Sequence, residues 1–412
     1  MSTYRLATTN ISRQVATLSR HQRVLPPRNG LTICRQLATK VGPPKGTSTF
    51  KLALIGATLG GASGTAYTLY NNWRDKNAHM EHERTPPQVI DALPDNIRIT
   101  KRYVNPKDKS GLEIILFQFQ TCPFCCKVRS FLDYMGISYA VVEVDAVLRQ
   151  DIKWSKQKKV PTVLIRQQDG KYVQMCDSSA IISLISTYLN DKHTDIGELA
   201  QFYPTISYFD DNGKKIRDIL NKYFLMYQEK TPKNFTKEME ESERKWRTWA
   251  DNHLVHLISP NCYQTLGEAF ETFDWFSEAG EWDVHFPKWE RNLMVYVGAS
   301  AMWGISKMLK RRHGLSDDVR SHIYDALDKW TREIKKRKTQ FMGGKEPNLA
   351  DLSVFGVLSS MEGCQAFKDC LENTNIGEWF YGVKQKIDKN KGNLIRERIE
   401  GEVLKAEFIS NK

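Results

Sequence analysis

The chain has 412 residues, with 60 Lys and Arg against 48 Asp and Glu and a formal net charge of +12. Two folded domains plus extensions fit that length, and eight cysteines, scattered apart from Cys122, Cys125 and Cys126, exclude a secreted disulfide scaffold. The basic excess is local: residues 1–74 hold ten Lys or Arg and no acid, and setting those ten aside leaves 50 basic against 48 acidic residues, so the body carries no nucleic-acid signal.

Residues 1–50 are rich in Arg, Ser and Thr. Ile11, Val15 and Leu18 share a helical face, with Arg13 and Arg20 opposite, which is the pattern of a mitochondrial transit peptide. Within residues 51–74, Leu52 to Tyr70 is uncharged for 19 residues, about the length of a short membrane-spanning helix. Lys51 and Arg74 flank it, Tyr67, Tyr70 and Trp73 suit an interface, and Gly56, Gly60 and Gly64 make GxxxG steps. The competing reading of this stretch is a Gly-rich linker. Residues 75–109, polar and carrying Pro86-Pro87 and Pro94, read as a tether.

The globular part begins near Ser110, and a thioredoxin-like α/β domain is expected over 110–192. The apolar run Ile114 to Phe119 reads as a strand leading into Cys122-Pro-Phe-Cys125, and Val128, Phe131, Leu132 and Met135 follow at helical spacing. Pro123 suits the first helical position. The Cys122 sulfur then lies over the free N–H groups of a helix N-terminus, which favour an anion, so this thiol is expected to be more acidic than a free one. Cys125 is a second thiol within reach, either resolving or packed. Cys176, Cys262, Cys364 and Cys370 form no second CxxC, which argues against zinc. A second strand over 138–144, a polar helix over 146–156 and a strand after Val160-Pro161 follow. A cis bond at that X–Pro step would turn the Val160 backbone toward the thiol. After a hairpin at Gln168-Asp-Gly170, Asp177-Ser-Ser179 caps an apolar helix to Tyr188, whose N-terminus suits an anion.

Residues 193–245 read as a charged connector with helix over 216–227. Residues 246–390 read as helical throughout, with an Asn348-Leu-Ala-Asp351 capping-box start, and 391–412 as a charged tail.

Thr121 to Arg129, Val160-Pro161 and Asp177-Ser-Ser179 together resemble a glutaredoxin, and Asn348 to Val354 resembles the helical domain of a glutathione transferase. With Trp246 to Asp251, His256 to Asn261 and Phe341-Met-Gly-Gly344, the chain from about Leu112 to Ile387 closely resembles the membrane-associated prostaglandin E synthase type 2 family. The resemblance implies a thioredoxin-like domain plus an all-α glutathione-transferase-like domain, a homodimer, and an isomerase that converts prostaglandin H2, a lipid endoperoxide, to prostaglandin E2. It implies Cys122 as the essential thiol, with glutathione held by the Val160 backbone, Asp177 and Ser178. It also implies haem contacts at His253, His256, Ser259 and Arg312, with Met308 where an Arg is expected. Phe119 departs from the pattern, since relatives carry a Tyr there.

Two other functions fit the residues. A dithiol oxidoreductase would use Cys122 and Cys125 together, and a membrane-bound glutathione or haem binder would use neither. For location, the leader and apolar stretch predict a single-pass mitochondrial membrane protein. The alternative is a Golgi or perinuclear membrane protein in which the apolar stretch itself acts as the signal.

Overall fold

The computed structural model describes residues 83–94, 97–209, 213–226 and 236–396. The leader 1–50 and the apolar stretch 51–74 lie outside them. Among the described residues no helix is long and apolar enough to cross a membrane.

A seven-stranded sheet organises the first domain, in the order β10-β3-β5-β4-β6-β7-β2. Its strands are β2 (Gln88–Ile90), β3 (Lys101–Val104), β4 (Ile114–Gln118), β5 (Tyr139–Glu143), β6 (Thr162–Arg166), β7 (Tyr172–Cys176) and β10 (Asn393–Arg396). The central strand β4 has Ile114 to Phe117 wholly buried. It runs parallel to β5, Leu116 opposite Val141, and antiparallel to β6, Leu116 opposite Val163. That burial on both faces explains why its sequence reads as a continuous apolar run rather than an alternation. Helices α1 (Pro123–Met135) and α2 (Ser178–Asn190) follow β4 and β7. The sheet residues Ile114, Leu116, Val163 and Val173 share one core with these helices and the helical domain. The opposite sheet face is covered by Ile97, Ile99, Ile152 and Trp154.

Four sequence expectations need correction. The region 75–109 is more than a tether: it supplies β2 and β3, which extend the sheet at opposite sides, and β1 (Glu83–Thr85). The connector 193–245 holds α3 (Ile196–Ala200) and a hairpin, β8 (Thr205–Phe209) with β9 (Lys215–Ile219), where helix was expected over 216–227. The first residues of the tail pair with β3 as β10. The polar helix over 146–156 is a loop with one tight turn at Gln150–Ile152. Its cause is local: the Asp145 carboxylate accepts the Val147 and Leu148 N–H groups at 2.6 and 2.9 Å, competing with helical bonding.

The helical domain begins with α4 (Lys237–Trp249), which continues through a wide π-helical turn at Ala250–Leu254 into α5 (Val255–Cys262). Next come α6 (Leu266–Ala279), α7 (Trp282–His285), α8 (Lys288–Asn292), another π-helical turn at Leu293–Gly298, and α9 (Ala299–Arg312). The rest is α10 (Val319–Lys336), α11 (Leu349–Ser359), α12 (Gln365–Asn373) and α13 (Ile376–Asn390). Trp330, fully buried, meets Trp246 and Trp379 edge-on at 5.2 and 5.3 Å. Asn348 and Asp351 close the expected capping box, and Asp351 also accepts the Trp379 indole N–H at 2.9 Å.

The two domains meet where α1 lies against α11. A Cβ on Gly356 would stand 2.4 Å from the Lys127 Cα, so only glycine permits this approach. The active segment of the first domain is thereby fixed directly on the helical domain.

Candidate active site

Cys122 is the residue before α1, in extended conformation, with Pro123 opening the helix. Its N–H donates to the Phe119 oxygen at 3.1 Å and its carbonyl accepts the Cys126 N–H at 2.9 Å. Cys122 as a residue is half-buried, whereas Cys125 is fully buried. A hydrogen bond from the Cys125 thiol lowers the Cys122 pKa most. Burial opposes that shift, and the Cys125 and Phe124 N–H groups and the Arg129 charge add to it, leaving Cys122 below the ordinary thiol value. Burial and the negative neighbour push Cys125 well above it. Cys122 is therefore the more acidic of the two thiols, and Cys125 is the one that keeps its proton and donates.

Arg129 is a support that the sequence reading missed. It donates to Gln118 Oε1 at 2.5 Å, to the Gln120 carbonyl at 2.6 Å and to the Cys126 sulfur at 3.2 Å. Cys126 itself is buried in the core.

Beneath the helix, Lys127 is completely buried and ion-pairs with Asp251. It also donates to Ser178 Oγ at 3.2 Å and Ser179 Oγ at 2.9 Å. Asp251 accepts from Ser179 Oγ at 2.6 Å and Tyr223 Oη at 3.0 Å. Burial works against the Asp251 charge, but Lys127 and these donors outweigh it and hold the carboxyl below the usual range. The network ties α1, α2 and α4 together just behind the thiol.

Two cavities flank this point, and Phe124 lines both. The first is a polar cleft of about 710 Å³. Val160, Pro161, Asp177 and Ser178 line it, so the structure brings together the residues expected to hold glutathione. The Val160–Pro161 bond is cis. Asp177 has φ +73° and caps α2 by accepting the Ser179 and Ala180 N–H groups at 2.9 and 3.1 Å. The sequence reading missed the opposite wall. There the β8–β9 hairpin and the turn after it bring Arg217, Lys222 and Tyr223 to the cleft, and Lys156 and Lys159 add charge from the loop before β6. Lys222 lies 3.9 Å from Asp177 Oδ2. Cys176 also lines the cleft, with burial pushing its thiol up to about 11, which disfavours its thiolate.

The second cavity, about 420 Å³, is apolar. Cys122 lines it, facing Phe273, Phe276, Trp282, Phe286 and Met294 from the helical domain. Of the residues expected near haem, His256 and Ser259 line this cavity, whereas His253, Met308 and Arg312 do not. His253 leans on Trp249 with ring centres 5.7 Å apart, His256 stacks on His313 at 4.5 Å, and Met308 is 60% exposed. Among the described residues no cluster of His, Cys, Asp and Glu is arranged to hold a metal ion.

Residues 114–170 match the glutaredoxin family model. Glutaredoxin of Ricinus communis is 33% identical over 76 residues, 17% of this chain and 72% of that one. Prostaglandin E synthase 2 of Mus musculus is 40% identical over 360 residues, 86% of this chain and 85% of that one. The chain belongs to the prostaglandin E synthase 2 family. The same-named protein of Danio rerio is 46% identical over 273 residues, 66% of this chain and 70% of its own. A glutathione S-transferase of Pseudomonas fluorescens superposes with a TM-score of 0.36 at 13% identity over 66% of this chain and 94% of that one. The match to the prostaglandin E synthase 2 sequences is thus far broader than the glutaredoxin match, which stops at the hairpin before β7.

Proposed function

We propose that this enzyme isomerises prostaglandin H2 to prostaglandin E2 with the Cys122 thiolate as nucleophile. The observation that carries the reading is that a thiol of lowered pKa opens onto an aromatic-lined cavity suited to a lipid chain. The thiolate attacks one oxygen of the endoperoxide. An S–O bond forms, the O–O bond breaks, and the second oxygen leaves as an alkoxide that takes a proton to become the hydroxyl. Loss of the C–H proton beside the S-bound oxygen forms the ketone and returns the electron pair to sulfur. No net oxidation occurs and the thiolate is regenerated.

Glutathione fits the polar cleft: its carboxylates would meet Lys156, Lys159, Arg217 and Lys222, and its ammonium Asp177, while the Val160 backbone and Ser178 suit its peptide groups. In this reading it is bound and is not consumed by the isomerisation. Haem has no part in it. Only His256 and Ser259 of the expected contacts line the apolar cavity, and Met308 offers an exposed thioether in place of a cation.

A homodimer is also proposed. The exposed face of α8, the π-helical turn after it and α9 carries Trp289, Tyr296, Val297 and Met308, each more than half exposed. A Cβ on Gly304 of α9 would touch nothing, which leaves room for a second copy to approach closely. The basic leader and the uncharged stretch behind it support a single-pass membrane protein of the mitochondrion. A reporter fused to residues 1–50 should reach mitochondria; a diffuse reporter would favour the Golgi or perinuclear alternative.

Product analysis tests the chemistry. Cys122→Ser should reduce prostaglandin E2 formation by about a hundred-fold or more, a barrier increase of about 2.7 kcal/mol, and Cys125→Ser should retain most of it. The hydrogen bond between the two thiols favours a second reading, a glutathione-dependent dithiol reductase. Equal loss of disulfide reduction in both variants, with no endoperoxide turnover in the parent, would select that reading instead.

A further inference from the structure

Phe124, the second residue of α1, is shared by the two cavities. Val160, Pro161 and Ser178 line the polar cleft with it, whereas Cys122 lines the apolar cavity with it and not the cleft. The ring is held in place. It is half-buried and packs against the main core. Lys127, three residues further along the same helix, has its Nζ 5.9 Å from the ring centre. Lys127 is itself fully buried and pinned by Asp251, Ser178 Oγ and Ser179 Oγ. The close approach of Gly356 to the Lys127 backbone fixes the helix beneath. Phe124 is therefore a fixed wall between the cleft that suits glutathione and the cavity onto which the Cys122 thiol opens.

We propose that Phe124 determines the product, by keeping the glutathione thiol off the S–O intermediate on Cys122, so that the endoperoxide is isomerised to the ketone and not reduced to the diol. The inference rests on the isomerase reading and on glutathione in the polar cleft. The wall matters because the S–O intermediate can break in two ways. Loss of the neighbouring C–H proton gives the ketone and frees the thiolate. Attack by a second thiolate on the Cys122 sulfur instead forms an S–S bond and breaks the S–O bond. The leaving alkoxide takes a proton, and the product is the ring diol, prostaglandin F2α. A further glutathione then attacks the glutathione sulfur of the mixed disulfide, which releases the Cys122 thiolate and glutathione disulfide. Two glutathione thiols lose two electrons and the endoperoxide gains them. Burial keeps the nearer thiol, Cys125, protonated, so glutathione is the reductant that the wall must exclude.

The test incubates the full chain with prostaglandin H2, with and without saturating glutathione, and measures products over a Cys122→Ser blank. The unsubstituted chain should give prostaglandin E2 in both cases and no glutathione disulfide. Phe124→Ala should behave alike without glutathione. With glutathione its diol-to-ketone ratio should rise about tenfold or more, with one glutathione disulfide formed per diol. Phe124→Tyr, which keeps the ring, should return the product to the ketone. Mercaptoethanol, small enough to enter the apolar cavity beside the lipid, should yield diol from the unsubstituted chain, a measurement independent of how the variants fold. An unchanged product ratio in Phe124→Ala at saturating glutathione would overturn the proposal. So would the same product ratio with glutathione and with mercaptoethanol in the unsubstituted chain. Absence of prostaglandin E2 from the unsubstituted chain without any thiol would overturn the isomerase reading itself, and the product control with it.

Discussion

The two cavities beside Phe124 are built in opposite ways. The polar cleft is made of loop and strand ends and one helix start, so backbone groups and the side chains of Lys156, Lys159, Arg217 and Lys222 face inward. The apolar cavity is walled mainly by the helical domain, whose packed helices present Phe273, Phe276, Trp282 and Phe286. Irregular segments expose polar backbone and helices present side chains alone, so recognition of a peptide and of a lipid falls to different architectures. Phe124, on the first turn of the helix that links the domains, lines both cavities, and Cys122, the residue that caps this helix, opens onto the apolar one.

The comparison breaks most severely if that helix loses its anchor. Lys127→Met would strand the Asp251 carboxylate among buried groups, and a loss of about 3–5 kcal/mol is expected. It would be read as a lower melting temperature together with lost binding in both cavities. Replacing both partners by apolar residues should recover much of the stability. The pH sign follows from the depressed Asp251 pKa. Its contribution is full above the unfolded carboxyl pKa of about 3.9 and is lost as pH falls through the lower folded value. Acid unfolding of Asp251→Asn should lack that component.

A smaller change sharpens the comparison from the lipid side. Trp282→Ala should raise KM for the endoperoxide about tenfold, about 1.4 kcal/mol, while glutathione affinity measured by calorimetry stays unchanged. The complementary substitution is smaller still in stability terms. Asp177→Ala removes the α2 cap and should cost about 1 kcal/mol. It should weaken glutathione binding and leave the endoperoxide KM where it was. A parallel change of both ligands in either variant would mean that the cavities do not act separately.

Much of the thiol side was legible because short-range chemistry specifies it. A strand, a Cys-Pro-Phe-Cys turn and a helix face lie consecutively along the chain, and Asp177 caps within three residues. The cationic wall of the cleft was less legible. Thr205 to Phe209 and Lys215 to Ile219 flank the sequence Asp-Asp-Asn-Gly, a hairpin signal that the charged composition hid. Lys127, Asp251 and Tyr223 come together only through tertiary packing, and no local pattern marks a lysine that will be buried. The outlying strands β2, β10 and β3, which lies just inside β10, have three or four residues each, too short for an alternation to stand out. The loop after β5 reads as helix until the Asp145 carboxylate is seen capturing the next N–H groups.

The central claim is that an activated Cys122 thiolate performs the chemistry, and two pH profiles on one protein test it most directly. The rate of iodoacetamide alkylation of Cys122 and kcat/KM for prostaglandin H2 should both rise with pH along one limb, with a shared midpoint below the ordinary thiol pKa of about 8.5. Cys125, held protonated, should stay unlabelled over that range. A midpoint at or above the ordinary value, or a turnover profile that ignores the alkylation profile, would contradict the account.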